Sequence, residues 1–138
     1  MPATTSALLR ILVVDDNETG ADTITHMIKL WGHDARIATD GRSGFEEACD
    51  FRPDLILMDI GLPLLNGFVA ARLVRTALGQ AVTLVALTAY SSDAFQAEAY
   101  KAGFDYYVIK PAGLSDLQEI VSKVARHKIQ DEHPPHIR

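Results

Sequence analysis

Five short apolar runs alternate with longer amphipathic stretches along this chain, and this alternation restricts the fold more than any other feature. The runs comprise residues 11–14, 35–38, 55–58, 82–87 and 106–109. Three of them are almost continuously apolar, which is typical of strands covered on both faces in a parallel sheet. Between the runs, apolar residues recur at helical spacing. The sequence therefore predicts five consecutive βα units.

A repeated βα order requires right-handed crossover connections, which place a layer of helices on each face of a parallel sheet. We therefore predict a three-layer, doubly wound α/β domain, (βα)5, with five parallel strands. For five strands the expected order is 2-1-3-4-5, a common arrangement of such sheets. The domain is predicted to span residues 1–127, and residues 128–138 are predicted to form a polar C-terminal tail.

Composition excludes several classes of protein. The chain has 13 basic and 18 acidic residues, a net charge of −5, which argues against direct nucleic-acid binding. Its only cysteine, Cys49, suits a reducing compartment and is expected to be a small packed residue of a helix. No apolar run approaches the roughly 18 residues that would span a bilayer. We expect a soluble cytoplasmic domain without a membrane partner.

Charged and hydroxyl side chains stand where the predicted strands end: Asp15 and Asp16, Asp59, Thr88 and Lys110. Each alone would be interpreted as a turn, loop or helix-cap residue. Parallel strands, however, bring their carboxyl ends to one edge, where ligands bind. Two carboxylates about 5 Å apart repel by roughly 3 kcal/mol at an effective dielectric near 20. A hard cation such as Mg²⁺, or Mn²⁺, would relieve this repulsion and suits phosphoryl transfer.

The sequence motifs at these strand ends resemble those of a known family. The motifs are VVDD at 13–16, LMDIGLPLLNG at 57–67, LTA at 87–89 and KAGFDYYVIKP at 101–111. With them, the chain resembles the receiver domain of two-component response regulators over about residues 9–126. The resemblance implies the fold of CheY, which is also called flavodoxin-like.

The family's site roles are carried over to matching positions of this sequence. The resemblance implies that Asp59 is the phosphoacceptor, which forms an aspartyl phosphate. Asp16, Asp59 and the backbone carbonyl of Gly61 are the implied Mg²⁺ ligands. Asp15 is implied to act through a metal-bound water.

Four further positions follow from the same resemblance. Lys110 would pair with Asp59 and then with the phosphoryl oxygens, and Thr88 would form a hydrogen bond to the phosphoryl group. Tyr107 occupies the family's aromatic switch position. The bond from Lys110 to Pro111 is the candidate for a cis peptide.

The resemblance also implies partners. A histidine kinase or a histidine phosphotransfer protein would donate the phosphoryl group, because no histidine of this chain resembles a donor. The predicted helix at 93–102, the strand at 106–109 and the last helix would form a switching face for a protein partner or a weak homodimer. The chain would be a free-standing regulator or the receiver of a hybrid histidine kinase. It would catalyse only its own phosphorylation and dephosphorylation, with kinase activity only within such a hybrid kinase.

Two alternatives of other classes remain open at this point. A flavin-binding electron carrier of the same fold would need a phosphate-cradling loop after the first strand, whereas Asp15 and Asp16 stand there. A metal-dependent phosphatase with an aspartyl nucleophile would resemble Asp-x-Asp, whereas Asp59 is followed by Ile60 and Gly61.

Overall fold

The computed structural model describes residues 8–61, 66–89, 92–110 and 113–132, without the side chains of residues 129–132. The strands are β1 (Arg10–Val14), β2 (Asp34–Ala38), β3 (Leu55–Asp59), β4 (Thr83–Thr88) and β5 (Tyr106–Ile109). The helices are α1 (Glu18–Leu30), α2 (Gly41–Phe51), α3 (Gly67–Leu78), α4 (Asp93–Ala102) and α5 (Leu114–Glu132), with a short 3₁₀ turn at Gly79–Ala81 before β4. The predicted alternation of strands and helices is confirmed.

The five strands form one parallel sheet in the order β2-β1-β3-β4-β5, as predicted. Along β3, Asp59 pairs with Leu87 of β4, and along β4, Thr88 pairs with Ile109 of β5. Because all strands run the same way, their carboxyl ends lie at one edge, which we call the carboxyl edge. Their starts lie at the opposite edge, the amino edge.

Two apolar cores flank the sheet, one on each face. The first core joins the sheet to α2, α3 and α4, and the second joins it to α1 and α5. Neighbouring residues of one strand serve different cores, so that Val14 belongs to the first core and Val13 to the second. This explains why the strands are nearly continuous apolar runs rather than alternating ones.

Helices α1 to α4 begin at side-chain caps close to the carboxyl edge. Asn17 Oδ1 accepts a hydrogen bond from the backbone N–H of Gly20 at the start of α1, and Asn66 Oδ1 accepts one from Val69 at the start of α3. At the opposite end of α4, Gly103 adopts a φ of +114°, a left-handed conformation that ends the helix without a side-chain clash.

Two details differ from the sequence-based expectations. Helix α5 continues to Glu132, so the first part of the predicted tail at 128–138 is helical, while residues 133–138 lie outside the described part of the chain. Within this longer helix, the ammonium of Lys128 donates to the carbonyl of Leu8 and to the carboxylate of Asp54, which holds α5 against the amino edge at this position. Cys49 is exposed rather than packed, because the neighbouring Ala48 occupies the buried side of α2.

Within the described ranges, no helix combines the length and the apolar character that crossing a bilayer requires.

Candidate functional site

Three carboxylates from two strands meet at the carboxyl edge. Asp15 and Asp16 follow β1, and Asp59 ends β3, while Val14 and Met58 hold the two strands in register as pairing partners. One carboxylate oxygen from each aspartate lies within 4.8 Å of the other two. The structure thus brings together the acidic residues that the sequence placed at strand ends.

The two adjacent aspartates have different surroundings. Asp15 is only 3 % exposed, and its two carboxylate oxygens accept hydrogen bonds from the backbone N–H of Asn17 (2.9 Å) and from Nζ of Lys110 (3.1 Å). Asp16 is exposed. One of the pair therefore faces the interior and holds the lysine, whereas the other faces solvent.

Lys110 is the cation of the cluster. Its Nζ donates to Oδ2 of Asp15 and, at 3.3 Å, to Oδ2 of Asp59. Burial alone would lower the pKa of Lys110, but the hydrogen bond to Asp15 and the charges of both aspartates outweigh it and raise the pKa. The side chain therefore stays protonated and partly compensates the clustered negative charge.

The backbone around Asp59 is held firmly. The N–H of Ile60 donates to the carbonyl of Leu87, and the carbonyl of Ile60 accepts from Gly67 at the start of α3. A Cβ atom at Gly67 would lie 2.6 Å from Cα of Ile60, so only glycine permits this close approach. The carboxylate itself keeps access to solvent, with 17 % of the side chain exposed, and its Oδ1 accepts from the N–H of Gly61 at 3.1 Å.

Thr88 and Tyr107 lie next to each other beyond the carboxylates. Thr88 is buried at the end of β4, and Tyr107 on β5 is half-buried against the first core. Burial raises the pKa of Tyr107, and a hydrogen bond with the Thr88 side chain opposes this effect. The backbone N–H of Lys110 also donates to the carbonyl of Thr88 at 2.7 Å. These contacts connect the acidic cluster to the edge strand β5.

The donor set fits a hard divalent cation. All three clustered side chains offer carboxylate oxygens, the ligands that Mg²⁺ prefers, and Asp16 and Asp59 are open to solvent for further water ligands. Pro111, the candidate for a cis peptide, lies outside the described residues.

Two residues of the site were missed by the sequence reasoning. Asn17 holds Asp15 through its N–H and caps α1, and Gly67 fixes the chain that follows Asp59. The signal for Asn17 is its place between an acidic strand end and an amphipathic stretch, a typical N-cap position. Nothing local in the sequence marks Gly67 as a contact of Ile60.

Comparisons with known proteins match this chain to one family of domains. A family model described as the response regulator receiver domain matches residues 11–122. The DNA-binding response regulator MtrA of Mycobacterium tuberculosis is 34% identical over 126 residues, which cover 91% of this chain and 53% of MtrA. Hybrid signal transduction histidine kinase G of Dictyostelium discoideum is 33% identical over 124 residues, which cover 87% of this chain and 4% of the kinase. The chain thus spans about half the length of MtrA and only a small part of the kinase.

A solved structure shows the same fold with a metal. The receiver domain of sensor histidine kinase PA1611 from Pseudomonas aeruginosa matches with a TM-score of 0.78 and 32% identity, covering 86% of this chain and 98% of that one. A magnesium ion is coordinated in the active-site cleft of that receiver domain.

Proposed function

Because this chain belongs to the family of response regulator receiver domains, we propose that it accepts a phosphoryl group on Asp59. The observation that carries the proposal is the position of Asp59. It is the partly exposed carboxylate of a central strand, 3.3 Å from the Lys110 ammonium and beside two further carboxylates. Asp15 is too deeply buried to be the acceptor, and Asp16 has no described contact with a cation.

The transfer requires few chemical groups. A carboxylate oxygen of Asp59 attacks the phosphorus of a phosphohistidine, the new P–O bond forms as the P–N bond breaks, and the imidazole of the donor leaves with a proton from solvent. Lys110 stabilises the charge that develops on the phosphoryl oxygens, since its ammonium already lies beside Asp59. Thr88 can donate its hydroxyl to the same oxygens once they are present.

The metal site is part of this proposal. Asp16, Asp59 and the backbone carbonyl of Gly61 would hold Mg²⁺, or Mn²⁺ in its place, and Asp15 would contribute through a water molecule. The bound cation neutralises the negative charge of the carboxylates and of the incoming phosphoryl group. Asp15 has a second role, because it orients Lys110 through the 3.1 Å hydrogen bond.

The phosphodonor is proposed to be a histidine kinase or a histidine phosphotransfer protein, in the cytoplasm. The comparisons support this because one relative is, by name, a hybrid histidine kinase, and one similar solved structure is the receiver domain of a sensor histidine kinase. An open groove of about 410 Å³ lies beside Asp15 and Lys110, between the start of α1 and the start of α5. Ile24, Leu114 and Leu117 give its wall an apolar character that suits a helix of the donor.

The output is proposed to pass through the face formed by α4, β5 and α5. Tyr100 and Ile109 are large apolar side chains exposed on this face, and Tyr107 connects it to Thr88. When Thr88 turns toward a phosphoryl group, its hydrogen bond with Tyr107 is released and the ring can take a new position. The partner would be a protein or a second copy of this domain in a weak dimer, because the net charge of −5 disfavours nucleic acid.

Phosphorylation by a small donor tests the proposal. Incubation with acetyl phosphate and Mg²⁺ is expected to add the mass of one phosphoryl group per chain, and the added mass should be absent from Asp59→Asn. Asp22→Asn, which changes an exposed aspartate on α1, is the matched control and should be labelled like the natural protein. A label that persists in Asp59→Asn would contradict the assignment, and repeated turnover of a phosphate ester would favour a phosphatase instead.

A further inference from the structure

One arginine at the amino edge joins the ends of several elements. Arg75 lies near the end of α3 with a side chain only 12 % exposed, and its guanidinium donates to three backbone carbonyls and one carboxylate. The acceptors are the carbonyls of Gly79, Val82 and Gly103 and the carboxylate of Asp105. Gly103 accepts from both Nε and Nη2, at 3.1 and 2.9 Å.

Through these bonds, the C-terminal end of α4 is fastened to α3. Gly103 ends α4, and a Cβ atom there would lie 2.7 Å from Cγ of Arg75, so the two residues fit closely. Asp105, which follows, also accepts from the N–H of Leu84, and this contact ties the start of β5 to β4. Ala99, Ala102 and Phe104 bury the same end of the helix in the first core.

The N-terminal half of α4 is held much less firmly. Between Asp93 and Glu98 no side chain is buried, and only Phe95 and Gln96 are half-buried. Phe95 contacts the Phe68 ring of α3 with a centroid separation of 5.2 Å. This half of the helix lies at the carboxyl edge, because α4 follows β4 and runs back toward the amino edge.

We propose that Arg75 is the pivot of a lever, with α4 anchored at Gly103 and its more weakly held N-terminal half able to move relative to α3. The arm from Asp93 to Ala102 is about 15 Å long at 1.5 Å per residue. As a signalling device, the lever rests on the proposed phosphorylation of Asp59, since a change at Thr88 would reach the N-terminal end of α4 first. The anchor itself is a property of the unphosphorylated domain, where it can be measured alone.

Hydrogen exchange tests the anchor. In the unphosphorylated protein, the backbone amides of residues 100–103, at the C-terminal end of α4 and its cap, are expected to exchange at least about tenfold more slowly than those of residues 96–98. Arg75→Lys keeps the charge but loses the fork of donors, and it should bring the two rates close together. Asp105→Asn, a milder second variant, should shift them in the same direction. Arg72→Lys, an exposed arginine on the same helix, is the matched control and should leave the ratio unchanged.

The same samples separate the pivot from the proposed function. With beryllofluoride and Mg²⁺, exchange at 96–98 should change in the natural protein while 100–103 stays constant, and in Arg75→Lys the change should extend to 100–103. Equal rates along α4 in the natural protein, or a ratio that Arg75→Lys does not alter, would overturn the pivot. Acetyl phosphate labelling is measured in parallel. A missing label on Asp59 would contradict the proposed function, and the unphosphorylated comparison would still decide on the anchor.

Discussion

Oδ2 of the buried Asp15 accepts a hydrogen bond of 3.1 Å from Nζ of Lys110, although 95 positions separate the two residues in the chain. The same ammonium reaches Asp59. Among the described residues, Lys110 is the positive charge that contacts the acidic cluster. Lys110 therefore neutralises part of the negative charge that a divalent cation would otherwise neutralise. When either the lysine or the cation is removed, the other should limit the loss of stability.

Replacement of Lys110 tests this compensation. Lys110→Met leaves Asp15 buried without its charged partner, and we expect the free energy of unfolding to fall by about 1–2 kcal/mol in metal-free buffer. Saturating Mg²⁺ should recover most of the loss, because it neutralises the same carboxylates. Urea denaturation with a chelator and with Mg²⁺ measures both values. An equal loss in the two buffers would show that Lys110 acts on the fold independently of the metal site.

Replacement of Asp16 should have the opposite effect on stability. Because its carboxylate is exposed and adds to a repulsive cluster, Asp16→Asn should raise the melting temperature in metal-free buffer. The same change should weaken Mg²⁺ binding by at least about tenfold, since a proposed metal ligand loses its negative charge. Titration with Mg²⁺ followed by thermal melting checks both effects. Asp22→Asn serves as the control, and unaltered Mg²⁺ affinity in Asp16→Asn would contradict its place in the metal site.

His33 makes stability depend on pH at the amino edge. Its Nδ1 accepts a hydrogen bond from the N–H of Leu9 at 3.0 Å. Burial lowers the pKa of His33 below 6.5, and the Lys128 charge acts in the same direction, whereas Asp54 opposes them. As the pH falls, His33 therefore binds a proton at a higher pH in the unfolded chain than in the folded domain. The contribution of His33 is complete above pH 6.5 and is lost as the pH falls toward the folded pKa.

The matched variants are His33→Asn, whose side-chain oxygen can accept from Leu9 without titrating, and His26→Asn at an exposed position of α1. Urea denaturation between pH 7.5 and pH 5.5 should show a smaller loss of stability in His33→Asn than in the natural protein. An equal reduction in His26→Asn would show that the effect does not depend on the half-buried position of His33. Parallel curves for His33→Asn and the natural protein would contradict the lowered pKa.

Replacement of Gly67 should affect both the packing of the backbone near Asp59 and the labelling of Asp59. Gly67→Ala would force its Cβ against the backbone of Ile60 and Asp59, which cannot rotate away, and should cost about 3 kcal/mol of unfolding free energy. It should also slow labelling by acetyl phosphate, because the displaced backbone carries Asp59. Gly20→Ala is the contrasting variant. Its Cβ would meet Asn17 at an ordinary 3.5 Å, and a stabilisation of up to about 1 kcal/mol is expected from helix propensity. Natural stability in Gly67→Ala would contradict the close approach.

The sequence was sufficient to predict the elements of the fold and their order, because the two periodicities are strong and local. It was less informative about where elements end. Strand β2 begins one residue before the apolar run at 35–38, since the N–H of Asp34 pairs with the carbonyl of Leu9. Helix α5 extends past residue 128, and its Lys128 contacts Leu8, 120 positions earlier. Such long-range bonds leave no local pattern.

The site could be predicted in part, because the predicted sheet topology fixes which strand ends are neighbours. A parallel sheet necessarily brings the ends of β1 and β3 together, so the gathering of Asp15, Asp16 and Asp59 follows from topology. The sequence could not show which of the two adjacent aspartates is buried, nor that Lys110 contacts Asp15 as well as Asp59. These features depend on side-chain directions and on the exact depth of the strand ends in the sheet.

The contact between Lys128 and Leu8 has a consequence for how this domain can be connected. The 3.1 Å hydrogen bond brings the last turns of α5 beside the segment that enters β1, at the amino edge and away from Asp59. A host protein could therefore carry the domain as an insert, with both junctions close together and the acidic cluster open to a donor. For the same reason, a short linker between the two junctions, with new ends cut at the turn Gly79–Ala81, would give a circular permutant that retains every strand pairing and the proposed phosphorylation site.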